Sequence, residues 1–377
     1  MEAHVSTINQ NPDGYLGAEN HETENFRDKL ETIGWRVGRL AVLPFIHRGL
    51  STSPENYHPV RYAEVTPDIS YTVETDTGEY PVHIYNRDCL GDRSDNPDIY
   101  LHMSLMVRPD QGFVAPMIKN LDRLAHEQDR GLVVIGAPAS HGRGMNSFQL
   151  ARFDLHSIVS DTHEAIDGIA ETEQVELTRM VHTGASLGGY LSLVFADQTI
   201  AGRREESGKQ PHIVELSLPV APAGWSLSNK RRIKAAYQFL VLEPAHFVEK
   251  ASHMNKPERD EYIRSFVKTV PYKEALPGAA KLAVNFLFSG DLEDTIQRLP
   301  RDYRVTAAAF NGDYITLPYL LKQHLNEKDF PNSKVHIIDG RHLSLDSYRK
   351  IFKGIIEPEI NALYEESAKV KSAHTGA

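Results

Sequence analysis

Residues 179–196 read Arg179-Met180-Val181-His182-Thr183, then Gly184-Ala185-Ser186-Leu187-Gly188-Gly189, then Tyr190-Leu191-Ser192-Leu193-Val194-Phe195-Ala196. A strand-like run and a helix-like run are joined here by a turn of a couple of residues. So tight a turn drives its middle residue to positive φ and leaves no room for side chains beside it, needs that glycine meets. The hydroxyl of Ser186 is thereby lifted clear of the backbone at the N-terminus of a helix, where free N–H groups and the helix dipole favour a developing negative charge. A chain that carries this junction needs a buried strand feeding directly into a helix.

The surrounding pattern supplies it. The segments 71–75 and 80–85 alternate like a hairpin around Gly78, and strand and helix then take turns. A strand is expected at 98–103 and a helix at 113–127, with Val114, Met117, Ile118, Leu121 and Leu124 on one face. The run 131–136 is apolar on both faces, as a central parallel strand should be. A helix over 153–172 leads into the junction at Ser186, and a strand over 212–220 follows it. From about 224 to 300 the alternation stops and the chain reads as mostly helical and rich in aromatic residues. It resumes with a strand at 303–310, a helix at 318–327, a strand at 334–338 and an amphipathic helix from 347 to about 367. This order implies right-handed crossovers and a mainly parallel α/β sheet with helices on both faces. Residues 61–223 and 301–377 form its core, and 224–300 is a helical cap or lid inserted into it. Residues 1–60 are an N-terminal extension, a polar tail followed by a helical pattern over 24–43.

Composition narrows the function classes. A net charge of −10 and a pI near 6.0 speak against a nucleic-acid surface. The short basic run Lys230-Arg231-Arg232-Ile233-Lys234 reads first as a solvated helix face. Cys89 is the single cysteine, so no internal disulfide can form, and the polar N-terminus lacks the pattern of a signal peptide. The most apolar stretch, residues 37–46, is broken by Arg39 and Pro44 and is too short for a membrane span, so a cytoplasmic protein is expected. No H-E-x-x-H, cysteine cluster or phosphate-binding glycine motif is present, and neither metal nor cofactor is expected.

A serine hydroxyl needs a base to take its proton and an acid to hold that base in one tautomer. His342 lies just beyond the strand ending at Ile338, and Asp313 just beyond the preceding strand. Parallel strands put their C-terminal loops on one rim, so both are expected on the side of Ser186. Asp291 and Asp294 are rivals of Asp313, because residues 285–291 also read as strand, glycine, aspartate; Asp313 is preferred, since no histidine follows suitably if the 291 region closes the penultimate strand. His182 reads as a core residue of its strand, whereas His102 and His141 are expected in rim loops, as structural hydrogen-bonding groups before substrate contacts.

With its elbow Gly184-Ala185-Ser186-Leu187-Gly188, Gly312-Asp313 after the penultimate strand and Gly340-Arg341-His342 after the last, the chain resembles the α/β-hydrolase superfamily over roughly residues 70–365. The turn Pro138-Ala139-Ser140-His141-Gly142-Arg143-Gly144 looks like the family's glycine-rich loop. What the resemblance implies is a serine hydrolase that cleaves a carboxylic ester, thioester or amide through an acyl-serine. Ser186 would be the nucleophile, His342 the base and then acid, and Asp313 the orienting carboxylate. The N–H of Leu187 would be one oxyanion donor. The second is expected from the loop after the strand at 98–103, with Ser104 foremost, although this chain has His102-Met103-Ser104 where the family commonly opens with His-Gly. The expected partner is a small acyl substrate with an apolar group. An acyltransferase using the same residues, or a binding module that keeps the fold without the catalysis, are the alternatives.

Overall fold

The computed structural model describes residues 66–91, 96–103, 115–137, 146–197, 211–238, 276–288, 290–340 and 350–375, with isolated positions between them. The N-terminal extension, the glycine-rich turn at 138–144 and most of 239–275 lie outside the described residues.

Eight strands form one sheet: β1 (Ile69–Glu74), β2 (Glu79–Tyr85), β3 (Asp98–His102), β4 (Leu132–Ile135), β5 (Arg179–Ala185), β6 (Ile213–Val220), β7 (Thr306–Phe310) and β8 (Lys334–Ile338). Their order across the sheet is β1-β2-β4-β3-β5-β6-β7-β8. β2 pairs antiparallel with both of its neighbours and every other pairing is parallel. The chain steps from β3 to β4 on one side and then returns to lay β5 on the other side of β3. Such a reversal opens a crevice at the carboxyl ends of the two strands. Ser186 follows β5 at that point.

Helices cover both faces, as the unbroken apolar runs require. α1 (Ala115–Glu127) and the C-terminal helix lie on one face. On the other lie α2 (Ser147–Arg152), α3 (Leu155–Glu173), α4 (Leu187–Val194), α5 (Asn229–Tyr237), α6 (Leu276–Phe288), α7 (Leu292–Gln297) and α8 (Pro318–His324). The C-terminal helix α9 (Glu357–Thr375) is entered through a π-helical turn at Phe352–Ile356. Side chains alternate between the layers with the period of two that a strand imposes. Tyr100, Val133, Met180 and Ala307 face α3 and α4, whereas Leu101, Val134, Val181 and Ala308 face α1 and the C-terminal helix. Leu282, Phe286, Leu292 and Ile296, late in the helical segment, belong to the same apolar core as α3 and α4.

The helix starts carry their own signals. Asn146 caps α2 through a reciprocal pair of hydrogen bonds with Gln149, and the Asp154 carboxylate caps α3 by accepting from the Ser157 N–H at 2.9 Å. One rival reading falls away and one expectation needs correction. Residues 285–288 are the last turn of α6, so the rival strand that would have led to Asp291 is a helix. Leu276–Phe288 holds no β-branched run, and its apolar residues recur with helical spacing. His102 is the last residue of β3, fully buried, and so is not in a rim loop.

Under the middle of the sheet four histidines surround Phe195. His102 Nε2 lies 2.9 Å from His182 Nδ1, and His163 Nδ1 lies 3.0 Å from His212 Nδ1. The rings of His163 and His182 pack on Phe195 with centroids 3.9 and 4.8 Å away. Burial holds His102 down to about pKa 3; burial, then the neighbouring imidazoles, hold His182 well below the ordinary range. Both are neutral in the folded protein. An unfolded chain takes up protons at these sites near pH 6.5, so folding is favoured above that value and progressively loses its advantage as pH falls toward 3. The unfolding free energy is expected to drop by on the order of 2 kcal/mol between pH 7 and 5.5, above the range where carboxylates titrate. Urea denaturation across that interval measures it, and a flat profile would mean the imidazoles accept protons without unfolding.

Candidate active site

Ser186 stands at the hinge between β5 and α4 with φ 55° and ψ −111°. A non-glycine residue there carries strain of about 1–3 kcal/mol and persists only where its surroundings fix it. Here they do so through the backbone. The Ser186 N–H donates to the Val220 carbonyl at 3.0 Å, and the Ser186 carbonyl accepts from the N–H of Tyr190 at 3.0 Å and of Ala223 at 3.1 Å. The turn is thus tied both to its own helix and to the exit of β6. Helix α4 is buried along its whole length, and its first N–H groups, beginning with Leu187, have no intrahelical partners.

The glycines of the motif are required by proximity. A Cβ on Gly184 would stand 2.5 Å from the His102 carbonyl oxygen and 2.6 Å from the Gly188 carbonyl carbon. A Cβ on Gly188 would collide with the same His102 oxygen, and one on Gly189 would lie 2.9 Å from the Val220 oxygen. Glycine here lets β5 and α4 close on the end of β3.

Asp313 lies past the carboxyl end of β7 and is buried. Its Oδ1 accepts from the N–H of Ile315 at 2.8 Å and of Thr316 at 3.3 Å, and its Oδ2 accepts the Thr316 hydroxyl at 2.6 Å. Other buried acids are engaged elsewhere: Asp98 opens β3 and accepts from the N–H groups of Gly91 and Gly131, Asp161 is held by Thr75 and Thr77, and Asp197 pairs with Arg298 at 2.6 Å. Among the described buried acids, Asp313 alone follows the carboxyl end of a parallel strand. Of its rivals, Asp294 is within α7 and Asp291 precedes it, accepting the Tyr190 hydroxyl at 2.6 Å.

His342 and Ser104 lie outside the described residues. The chain enters those segments from fixed points. The Gly312 N–H donates to the Gly340 carbonyl at 3.2 Å, and the Asn311 N–H to Ile338 at 3.0 Å, which joins the loop of Asp313 to the last described residues before His342. The Met103 N–H donates to Ile135 at 2.9 Å. Ser186, Leu187 and Asp313 therefore occupy one edge of the sheet. Thr316 was not singled out from the sequence, although its position three residues after an aspartate in a loop is the spacing at which such side chains bond one another locally.

No protein-family model matches the chain, and no curated protein matches it. Solved structures do. One is from work on carboxylesterases of the ammonia-oxidizing thaumarchaeon Nitrososphaera gargenis, with 12% identity and a TM-score of 0.51, covering 78% of this chain and 100% of the other. Another is a hydrolase of Pseudomonas aeruginosa PA01, with 14% identity and a TM-score of 0.51, covering 77% of this chain and 98% of the other. The chain has the α/β-hydrolase fold.

Because the clash at Gly188 is with backbone that cannot move aside, Gly188→Ala is expected to cost about 3 kcal/mol of stability. Gly354→Ala, where an added Cβ meets nothing within 4 Å, should change it by no more than about 0.5 kcal/mol. Urea unfolding of the two variants gives the comparison, and equal effects would show that the close approach at His102 does not constrain the turn.

Proposed function

We propose that the protein is a serine hydrolase that cleaves a carboxylic ester or thioester through an acyl-serine formed on Ser186. The observation that carries the reading is the strained, doubly anchored backbone of Ser186 at the strand-to-helix turn, the geometry of a nucleophile elbow. The buried Asp313 at the same sheet edge, its carboxylate oriented by Ile315 and Thr316, supports it, as does the likeness in fold to a carboxylesterase structure.

In this mechanism the Ser186 oxygen attacks the substrate carbonyl carbon while His342 takes the hydroxyl proton. Negative charge gathers on the carbonyl oxygen, toward which the Leu187 N–H at the helix N-terminus and the Ser104 N–H donate. The bond to the leaving group breaks, and His342 returns the proton to the departing alcohol or thiol. Water then adds to the acyl-serine by the same route in reverse, releasing the acid and the free serine. Asp313, its orientation fixed by Thr316 and two backbone N–H groups, keeps His342 in the tautomer that can accept at its reacting nitrogen. The aromatic residues that the sequence gathers in 224–300 favour an acyl group with apolar character, with the part of that segment outside the core as its lid.

A fluorophosphonate probe is expected to label the wild type and to fail on Ser186→Ala. Hydrolysis of p-nitrophenyl esters of graded chain length should fall by roughly 10⁴-fold in His342→Ala and in Asp313→Asn, and much less in Asp291→Asn. A folded wild type that resists labelling would favour a non-catalytic binding module. A larger loss in Asp291→Asn than in Asp313→Asn would move the orienting acid.

A further inference from the structure

The basic run that read as a solvated helix face has a more particular setting. Helix α5 carries Lys230, Arg231, Arg232 and Lys234, and neither it nor α6 nor α8 contains a single aspartate or glutamate, in a chain of net charge −10. Contacts join the three helices into one surface. The guanidinium of Arg232 lies 4.6 Å from the ring centre of Phe288 at the end of α6, and that of Arg231 lies 5.3 Å from the ring of Tyr319 on α8. Between them Ile233 is 71% exposed, Phe288 56% and Tyr319 49%. Val284, one helical turn before Phe288, is exposed on the same side of α6. At the edge of this surface Glu293 of α7 faces His324 of α8 at 3.5 Å.

We propose that this surface docks the protein on an anionic phospholipid bilayer. Charge complementarity selects the partner's sign, and the interleaving selects its kind. The core of a protein interface is depleted of lysine and gathers its apolar groups together, whereas here Phe288 and Tyr319 each carry a guanidinium on the ring and Ile233 stands between Arg232 and Lys234 in the sequence. That arrangement fits the boundary between headgroups and acyl chains, where isoleucine and aromatic rings sink in and Arg and Lys stay with the phosphates. A guanidinium stacked on a ring can turn toward a phosphate as the ring descends, with its methylene stem remaining on apolar surface. The acidic remainder of the chain, repelled by the same bilayer, would fix the orientation. α5 follows β6 and α8 follows β7, so the docked face adjoins the carboxyl edge of the sheet where Ser186 lies.

Flotation of the full chain with vesicles tests the proposal. The protein is expected to float with vesicles of phosphatidylcholine and phosphatidylglycerol, to stay behind with phosphatidylcholine alone, and to be released by high salt. Removing two charges in Arg231→Gln/Arg232→Gln should weaken partition at roughly fivefold per charge, or about 25-fold for the pair. Ile233→Ser/Phe288→Ser should weaken it with little change in its salt dependence. All four sites are at the surface, so unchanged thermal midpoints are expected and confirm that the variants are folded. Ser186→Ala should float like the wild type, which separates this proposal from the assignment of hydrolysis. Absence of wild-type flotation with anionic vesicles would overturn it, as would flotation that neither double variant alters. A third contrary result is tighter binding to a short DNA oligonucleotide or an acidic peptide than to the vesicles, lost in the same variants.

Discussion

The carbonyl oxygen of His102 is the point on which the rest of the structure turns. It closes β3, and both Gly184 and Gly188 come so near it that neither can carry a Cβ. Because β5 and α4 meet there without intervening side chains, the chain can reverse from strand to helix within one residue, and that residue, Ser186, absorbs the conformational cost. A neighbour held by side-chain packing could yield by rotamer change. A backbone carbonyl at the end of a strand paired on both sides cannot, so the position of the turn is fixed by the sheet itself.

The same residue links the turn to what lies beneath it. The His102 side chain points into the sheet core toward His182, and both imidazoles remain neutral because burial makes their charged forms costly. His102 and His182 therefore supply hydrogen bonding and packing under the elbow without adding charge beneath the turn at Ser186. They also couple the geometry of the turn to pH through stability, a separate route from any titration of a catalytic base.

What the sequence made legible was what depends on local chemistry. The glycines around Ser186 named a turn because no other residue could occupy it, and the apolar runs at 98–103 and 131–136 named buried strands because a doubly covered sheet removes the alternation of a half-exposed one. Less legible was anything decided by contacts between distant segments. Residues 285–291 looked like strand, glycine and aspartate, but 285–288 close a helix that begins at Leu276 and whose Leu282 and Phe286 pack with the α3 and α4 layer. Asp291 is likewise given its partner by Tyr190, a hundred residues earlier in the chain, a bond no local pattern announces. His102 looked like a loop residue since a polar side chain at a strand's end ordinarily faces solvent; its burial follows from a partner, His182, on the adjacent strand. The support that Thr316 gives Asp313 was readable in principle, as a short-range pair, but has meaning only once Asp313 is placed at the rim.

These constraints also account for a fold shared at 12–14% identity with structures that cover more than three quarters of the chain. The demands at the turn fall on backbone: three hydrogen bonds of Ser186, two glycines against a carbonyl, and a switch in strand order that opens the crevice. Few side chains need to be retained to satisfy them. The helices that surround the crevice answer only to burial on one face, and their outer faces are left to vary. On α5, α6 and α8 that freedom has been used to collect positive charge and exposed apolar groups beside the site, on a chain that is acidic as a whole. A rigid floor set by the backbone, with a rim whose surface chemistry is unconstrained by folding, is an arrangement in which the place of the protein's chemistry can be altered without disturbing the chemistry itself.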